Sequence, residues 1–96
     1  MKQQVTINKR FHAYYSGSVQ GVGFRYTAQH LAVSLDVTGW VKNLRDGRVE
    51  LLCEGREASL KEFLTKIEGV FGTYIRDRDI EWETATGEFD RFDIRF

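Results

Sequence analysis

From Arg10 to Ser16 apolar and polar positions alternate, with Phe11, Ala13 and Tyr15 separated by His12 and Tyr14, which predicts a strand. The period then changes. Phe24, Ala28, Leu31, Ala32 and Leu35 recur at i, i+4, i+7, i+8 and i+11, the spacing of one helix face. Thr38–Leu44 and Arg48–Glu54 read as two further strands. Asp46-Gly47 between them is a tight-hairpin signal, because glycine accepts a positive φ without penalty. Leu60, Phe63, Leu64 and Ile67 mark a second helix. Ser59 and Glu62 have the spacing of a capping box, although a start one turn earlier also fits, and Gly69 is the expected stop. Ile80, Trp82 and Thr84 alternate in a fourth strand, and Phe92, Ile94 and Phe96 in a short last one.

This β-α-β-β-α-β order, with one strand added, predicts an α+β fold: the ferredoxin-like split β-α-β sandwich, both helices covering one face of a mostly antiparallel sheet. The polar stretch Met1–Lys9 reads as a loose tail, leaving Arg10–Phe96 as the domain. A chain of 96 residues with 42% hydrophobic content supports one core. Lys and Arg (14) balance Asp and Glu (14), so no global field attracts nucleic acid or an anionic membrane. The expectation is a monomer without nucleic-acid or membrane partners, binding any anion locally. The single cysteine, Cys53, excludes an internal disulfide framework. Met1–Arg10 lacks the apolar core of a signal peptide, and no apolar run approaches the roughly 20 residues of a membrane span, so the expected location is cytoplasmic.

Candidate chemistry is concentrated in Gly17-Ser18-Val19-Gln20-Gly21-Val22-Gly23-Phe24-Arg25, between the first strand and the first helix. A loop there presents backbone N–H groups at the helix's positive end, and glycines 21 and 23 let those groups converge on an anion. Arg25 adds a planar fork suited to phosphate oxygens. A cation in the first helical turn opposes the macrodipole by roughly 0.3–1 kcal/mol, which either a bound anion or a neighbouring carboxylate offsets. Asn43 is the second candidate, at the end of a strand that can lie beside the first; its amide can orient a water or merely cap local backbone. His12 and His30 lack metal-ligand spacing and read as structural, and no metal or cofactor is expected. Cys53 and both tryptophans, Trp40 and Trp82, read as core or near-core, and Arg76-Asp77-Arg78-Asp79 as a solvated strand edge.

Gly17-x-Val19-Gln20-Gly21-Val22-x-Phe24-Arg25 resembles the first signature of the acylphosphatase family. Gly39-Trp40-Val41-Lys42-Asn43, followed by Asp46-Gly47-x-Val49-Glu50, resembles the second, at matching separation, and Phe92–Phe96 is similar to the family's closing strand. The resemblance covers Phe11–Phe96. One departure is Gly69-Val70-Phe71-Gly72-Thr73, where many members carry Gly-Pro before the fourth strand.

The resemblance implies a small, free-standing acylphosphatase that hydrolyses acyl phosphates to a carboxylate and inorganic phosphate without metal, the phosphate inhibiting as product. By the same resemblance Arg25 binds the phosphoryl group and Asn43 orients the attacking water. Backbone N–H groups of Gln20, Gly21, Val22, Gly23 and Phe24 cradle the phosphate oxygens. Neither signature supplies an acid, base or nucleophile. An acyl phosphate needs none to expel its leaving group, since a carboxylate's conjugate acid has a pKa of only about 4. Two other readings stay open. One is a phosphate-binding module with little turnover, like the domain that opens hydrogenase-maturation carbamoyltransferases; a chain ending at Phe96 without zinc-binding cysteines weighs against it. The other is an RNA-binding module of the same strand order, opposed by a third strand that lacks basic and aromatic residues for stacking bases.

Overall fold

The computed structural model describes residues 8–96. Seven elements follow in order: β1 (Asn8–Gly17), α1 (Phe24–Ser34), β2 (Thr38–Asn43), β3 (Val49–Arg56), α2 (Glu57–Phe71), β4 (Ile75–Thr84) and β5 (Phe92–Arg95). They form one five-stranded sheet in the order β4-β1-β3-β2-β5, antiparallel except for the β2–β5 pair. Both helices pack on one face, α1 over β2 and β5 and α2 over β1 and β3. This is the expected ferredoxin-like α+β sandwich. Phe11, Ala13 and Tyr15 of β1 point into the core with Val41, Val49, Leu51 and Cys53, opposite Phe24, Ala28 and Ala32 of α1 and Leu60, Phe63 and Ile67 of α2.

Several boundaries differ from the sequence reading. β1 takes in Asn8 and Lys9 of the expected tail, which pair with Arg56 and Gly55, and residues 1–7 lie outside the described residues. α2 begins at Glu57 directly after β3, with no side-chain cap, and Ser59 and Glu62 lie inside it. It also runs past Gly69, because Phe71 is buried and continues the apolar stripe. β4 starts at Ile75 rather than near Ile80, so the Arg76–Asp79 charges lie on the exposed edge strand. Trp82 is 43% exposed on β4, an edge strand of the sheet, and its ring meets that of Phe11 edge-on at 5.6 Å between centroids. The buried Tyr15 hydroxyl donates to Glu68 Oε2 at 2.8 Å, and Arg78 pairs with the same carboxylate, tying α2 to β4.

Among the described residues no helix covers the sheet's other face. His12 Nε2 lies 2.6 Å from Glu50 Oε2, which also accepts from the Tyr14 hydroxyl at 3.1 Å, a structural place for that histidine. Glu54, only 3% exposed, holds the connection between β4 and β5. Its Oε2 accepts from Arg10 Nε at 2.7 Å and Thr86 N at 2.9 Å, and Oε1 from Gly87 N at 3.0 Å. Desolvation raises the Glu54 pKa, but these donors outweigh it and hold the carboxyl below its usual value of 4.5. A depressed carboxyl stabilises the fold above its unfolded pKa and loses that contribution as pH falls through the folded one.

Glu54→Ala leaves Arg10 Nε and the Thr86 and Gly87 amides without their acceptor, while Arg10 keeps Glu88, and is expected to cost about 2–3 kcal/mol in urea unfolding near neutral pH. The deficit relative to the parent is expected to shrink as pH falls from 4.5, the unfolded value, through the lower pKa of the folded carboxyl; a pH-independent deficit contradicts the role.

Candidate active site

β1 and β2 each pair antiparallel with β3, so they run parallel to one another and finish at the same end of the sheet. Asn43, the last residue of β2, therefore reaches the loop that leaves β1 even though β3 separates the two strands. The two strands are not direct neighbours, because the Asp46-Gly47 hairpin pairs β3 with β2 and the other side of β3 takes β1.

The loop is anchored at both sides. Val19 is fully buried beneath it, and Ser18 N donates to Tyr74 O at 2.9 Å. Gly21 and Gly23 have φ of +78° and +84°, the left-handed region that strains any residue with a Cβ. A Cβ at either position meets nothing within 4 Å, so backbone conformation rather than crowding demands glycine. Gly23 is the N-cap of α1, which has neither a side-chain cap nor an acidic residue in its first turn. The first intrahelical bond runs from Thr27 N to Gly23 O at 3.1 Å. Phe24, Arg25 and Tyr26 therefore keep N–H groups without helical acceptors at the positive end of the dipole.

Arg25 adds a full positive charge to this terminus. No carboxylate among the described residues pairs with it. Its guanidinium carbon lies 4.8 Å from the centroid of the Phe96 ring, a cation–π contact. Of the two offsets open at the sequence level, the neighbouring carboxylate is thus not the one adopted.

Arg25 and Asn43 line one cavity of about 170 Å³ together with Val19, Gly21, Gly23, Phe24 and Tyr26. Gln20 and Val22 do not line it, and Val22 packs against the core instead. Asn43 Oδ1 is the one buried side-chain polar atom among the described residues without a hydrogen-bond partner. Such an acceptor costs about 1–3 kcal/mol in a finished core. A larger groove of about 520 Å³ between α2 and β4 is lined by Lys61, Leu64, Thr65, Arg78, Ile80 and Trp82, none of which belongs to either signature. Cys53 is buried, and burial pushes its thiol well above the ordinary value, so it is no nucleophile.

The sequence reading treated Gln20 only as a backbone donor. Its side-chain Nε2 donates to Leu44 O at 2.7 Å and Arg48 O at 3.0 Å. Those carbonyls flank the hairpin turn that begins one residue after Asn43. One amide thus fastens the loop to the strand end that carries the asparagine. A polar residue pointing away from the glycines carries no local signal of such a partner, which lies 24 residues away.

A ferredoxin-like α+β sandwich with its polar chemistry on the first β-α loop is a frame for binding an anion at a helix terminus. Comparison with known proteins narrows the class. Residues 11–94 match the model of the acylphosphatase family. The acylphosphatase of Syntrophotalea carbinolica is 42% identical over 82 residues, spanning 84% of this chain and 89% of its own. The crystal structure of acylphosphatase from Bacillus subtilis superposes with a TM-score of 0.83 at 33% identity, covering 92% of this chain and 99% of that one. Full-length HypF, in a phosphate- and nucleotide-bound form, shares the fold over 99% of this chain and 13% of its own, with TM-score 0.85 and 22% identity. The chain belongs to the acylphosphatase family, and its reaction is the hydrolysis of acyl phosphates.

Gln20→Ala removes both ties between loop and hairpin and is expected to cost about 1–2 kcal/mol in chemical denaturation. Amide hydrogen exchange should speed up in residues 18–23 and 44–48 together. Acceleration confined to one segment contradicts a shared fastening.

Proposed function

We propose that the cavity between the Gly17–Arg25 loop and Asn43 binds the phosphoryl group of an acyl phosphate and directs water onto its phosphorus. The observation that carries this reading is the convergence of three unpaired features on one small cavity: an uncapped helix terminus, a guanidinium without a carboxylate, and a buried amide oxygen without a donor. Arg25 meets two phosphoryl oxygens with its planar fork, and N–H groups from Gly21 to Tyr26 take the others. A bound dianion offsets the repulsion between Arg25 and the helix dipole. Asn43 Oδ1 accepts one O–H of the water, so that a lone pair of the water oxygen faces phosphorus.

The water oxygen bonds to phosphorus as the bond from phosphorus to the acyl oxygen breaks, and that electron pair leaves on the carboxylate. The second water proton passes to a phosphoryl oxygen, giving dihydrogen phosphate. The leaving carboxylate is the conjugate base of an acid of pKa about 4 and departs unprotonated. Phosphoryl transfer through a loose transition state asks for positioning and charge stabilisation, which these groups supply. The reading requires no metal, because Arg25 and the amides meet the phosphoryl charge, and no second chain, because every named group belongs to one. Inorganic phosphate fits the same cradle and acts as a competitive product inhibitor. A reduced, buried Cys53 suits a cytoplasmic enzyme.

Hydrolysis of benzoyl phosphate is expected to proceed in the presence of a metal chelator and to be inhibited by phosphate. Arg25→Ala should lower kcat/KM by about two orders of magnitude, as loss of a transition-state donor does. Asn43→Ala should lower kcat with little change in the inhibition constant for phosphate, because water positioning acts on the chemical step. Near-parental turnover in either variant removes that residue from the mechanism. Phosphate binding without turnover by the parent protein supports a binding module instead.

A further inference from the structure

The two edges of the sheet are unequal. β5 closes one with four residues, whereas β4 closes the other with ten. β4 pairs with β1 alone, so the backbone groups on its outer side have no partner strand among the described residues. A free edge of that length is a template for another strand, and proteins ordinarily blunt it with proline, lysine or a bulge. β4 carries neither proline nor lysine, and its register shift falls at its start, where Ile75 meets Gly17.

The faces of β4 differ in chemistry. Arg78, Ile80 and Trp82 lie opposite the core residues of β1 and so face the helices, where they line the groove of about 520 Å³ against α2. Arg78 is committed to Glu68, which leaves Ile80 and the half-exposed Trp82 as apolar surface open to the groove. A second hollow of about 280 Å³ shares Trp82 and Lys61 with it and continues toward Lys9. On the other face Asp77, Asp79, Glu81 and Glu83 form one exposed row. The last three pair with no cation among the described residues.

That row selects the occupant. Pairing β4 with β4 of a second copy sets two rows of carboxylates opposite each other on one face, and like charges resist it. A strand with lysine or arginine at alternate positions instead meets the row with opposite charge. Its period of two then turns the remaining side chains into the groove. We propose that β4 and this groove dock an extended segment of another protein, added as a further strand, in which basic residues alternate with large apolar ones. The segment's main chain completes the free edge, its basic side chains face the carboxylates, and its apolar side chains cover Ile80 and Trp82. None of these groups lines the phosphoryl cavity.

The test uses two end-blocked peptides of one composition, the first alternating lysine with valine, the second with all lysines before all valines. Each is titrated into isotope-labelled protein and followed by amide NMR. The alternating peptide is expected to shift the amides of Arg76–Thr84 and the Trp82 indole saturably, and the block-ordered one to bind about tenfold more weakly or less. Asp79→Lys combined with Glu81→Lys, and separately Trp82→Ala, should each weaken the alternating peptide about tenfold. Equal affinity for the two peptides overturns strand addition, because charge alone then accounts for binding. Absence of saturable shifts, or shifts that leave β4 unmoved, overturns the docking site. Amides of β4 that broaden with protein concentration in the absence of peptide overturn the choice of partner in favour of a second copy.

Discussion

The site's geometry depends on two hydrogen bonds from a single side-chain amide. Gln20 donates to the carbonyls of Leu44 and Arg48, and through them the loop after β1 is held against the end of β2. Both contacts are close to ideal length, and both protons of the amide are used. Without them the loop and the asparagine belong to separate elements, joined only through the intervening strand β3. Split β-α-β topology delivers the two strand ends to one end of the sheet, and Gln20 ties the loop at one to the hairpin at the other. Proposed water positioning needs this, because a displacement of about 1 Å at a reacting centre can cost a hundredfold in rate.

Elsewhere the structure satisfies its polar groups with care. The buried Glu54 carboxylate takes donors on both oxygens, and the buried Tyr15 hydroxyl reaches Glu68. Around the 170 Å³ cavity the same rules are broken together. The helix terminus has no cap, a cation sits on a positive dipole, Asn43 Oδ1 has no donor, and a tyrosine ring faces water. Each departure costs some stability in isolation, and the phosphoryl group proposed for this cavity offsets the first three. Concentrated departures of this kind mark function rather than poor folding.

Much of this was legible in the chain. The change of period from two to 3.6 near Phe24 located β1 and α1, and Asp46-Gly47 located the hairpin. Gly21, Gly23, Arg25 and Asn43, named from the sequence, do line one cavity. Local signals failed where burial overrode them. Gly69 reads as a helix stop, yet the burial of Phe71 carries α2 one half-turn further. Trp82 reads as core or near-core, yet its strand lies at the sheet edge and leaves it 43% exposed, a placement no periodicity reveals. The side-chain role of Gln20 was hidden for a different reason. Its acceptors are backbone carbonyls, which every residue type offers, so only the three-dimensional path of the hairpin identifies them.

The proposed chemistry divides labour so that no residue titrates. Arg25 and the loop amides meet the charge, Asn43 aims the water, and the substrate supplies both a good leaving group and the oxygen that receives the proton. Everything rests on the phosphoryl group occupying that cradle rather than the larger groove near Lys61 and Arg78. Titration of isotope-labelled protein with inorganic phosphate, followed by amide NMR, tests this most directly. Saturable shifts are expected, centred on the amides of Gly21–Tyr26 and the side chains of Arg25 and Asn43. Shifts centred on Lys61, Thr65 and Arg78, with the loop unmoved, would contradict it.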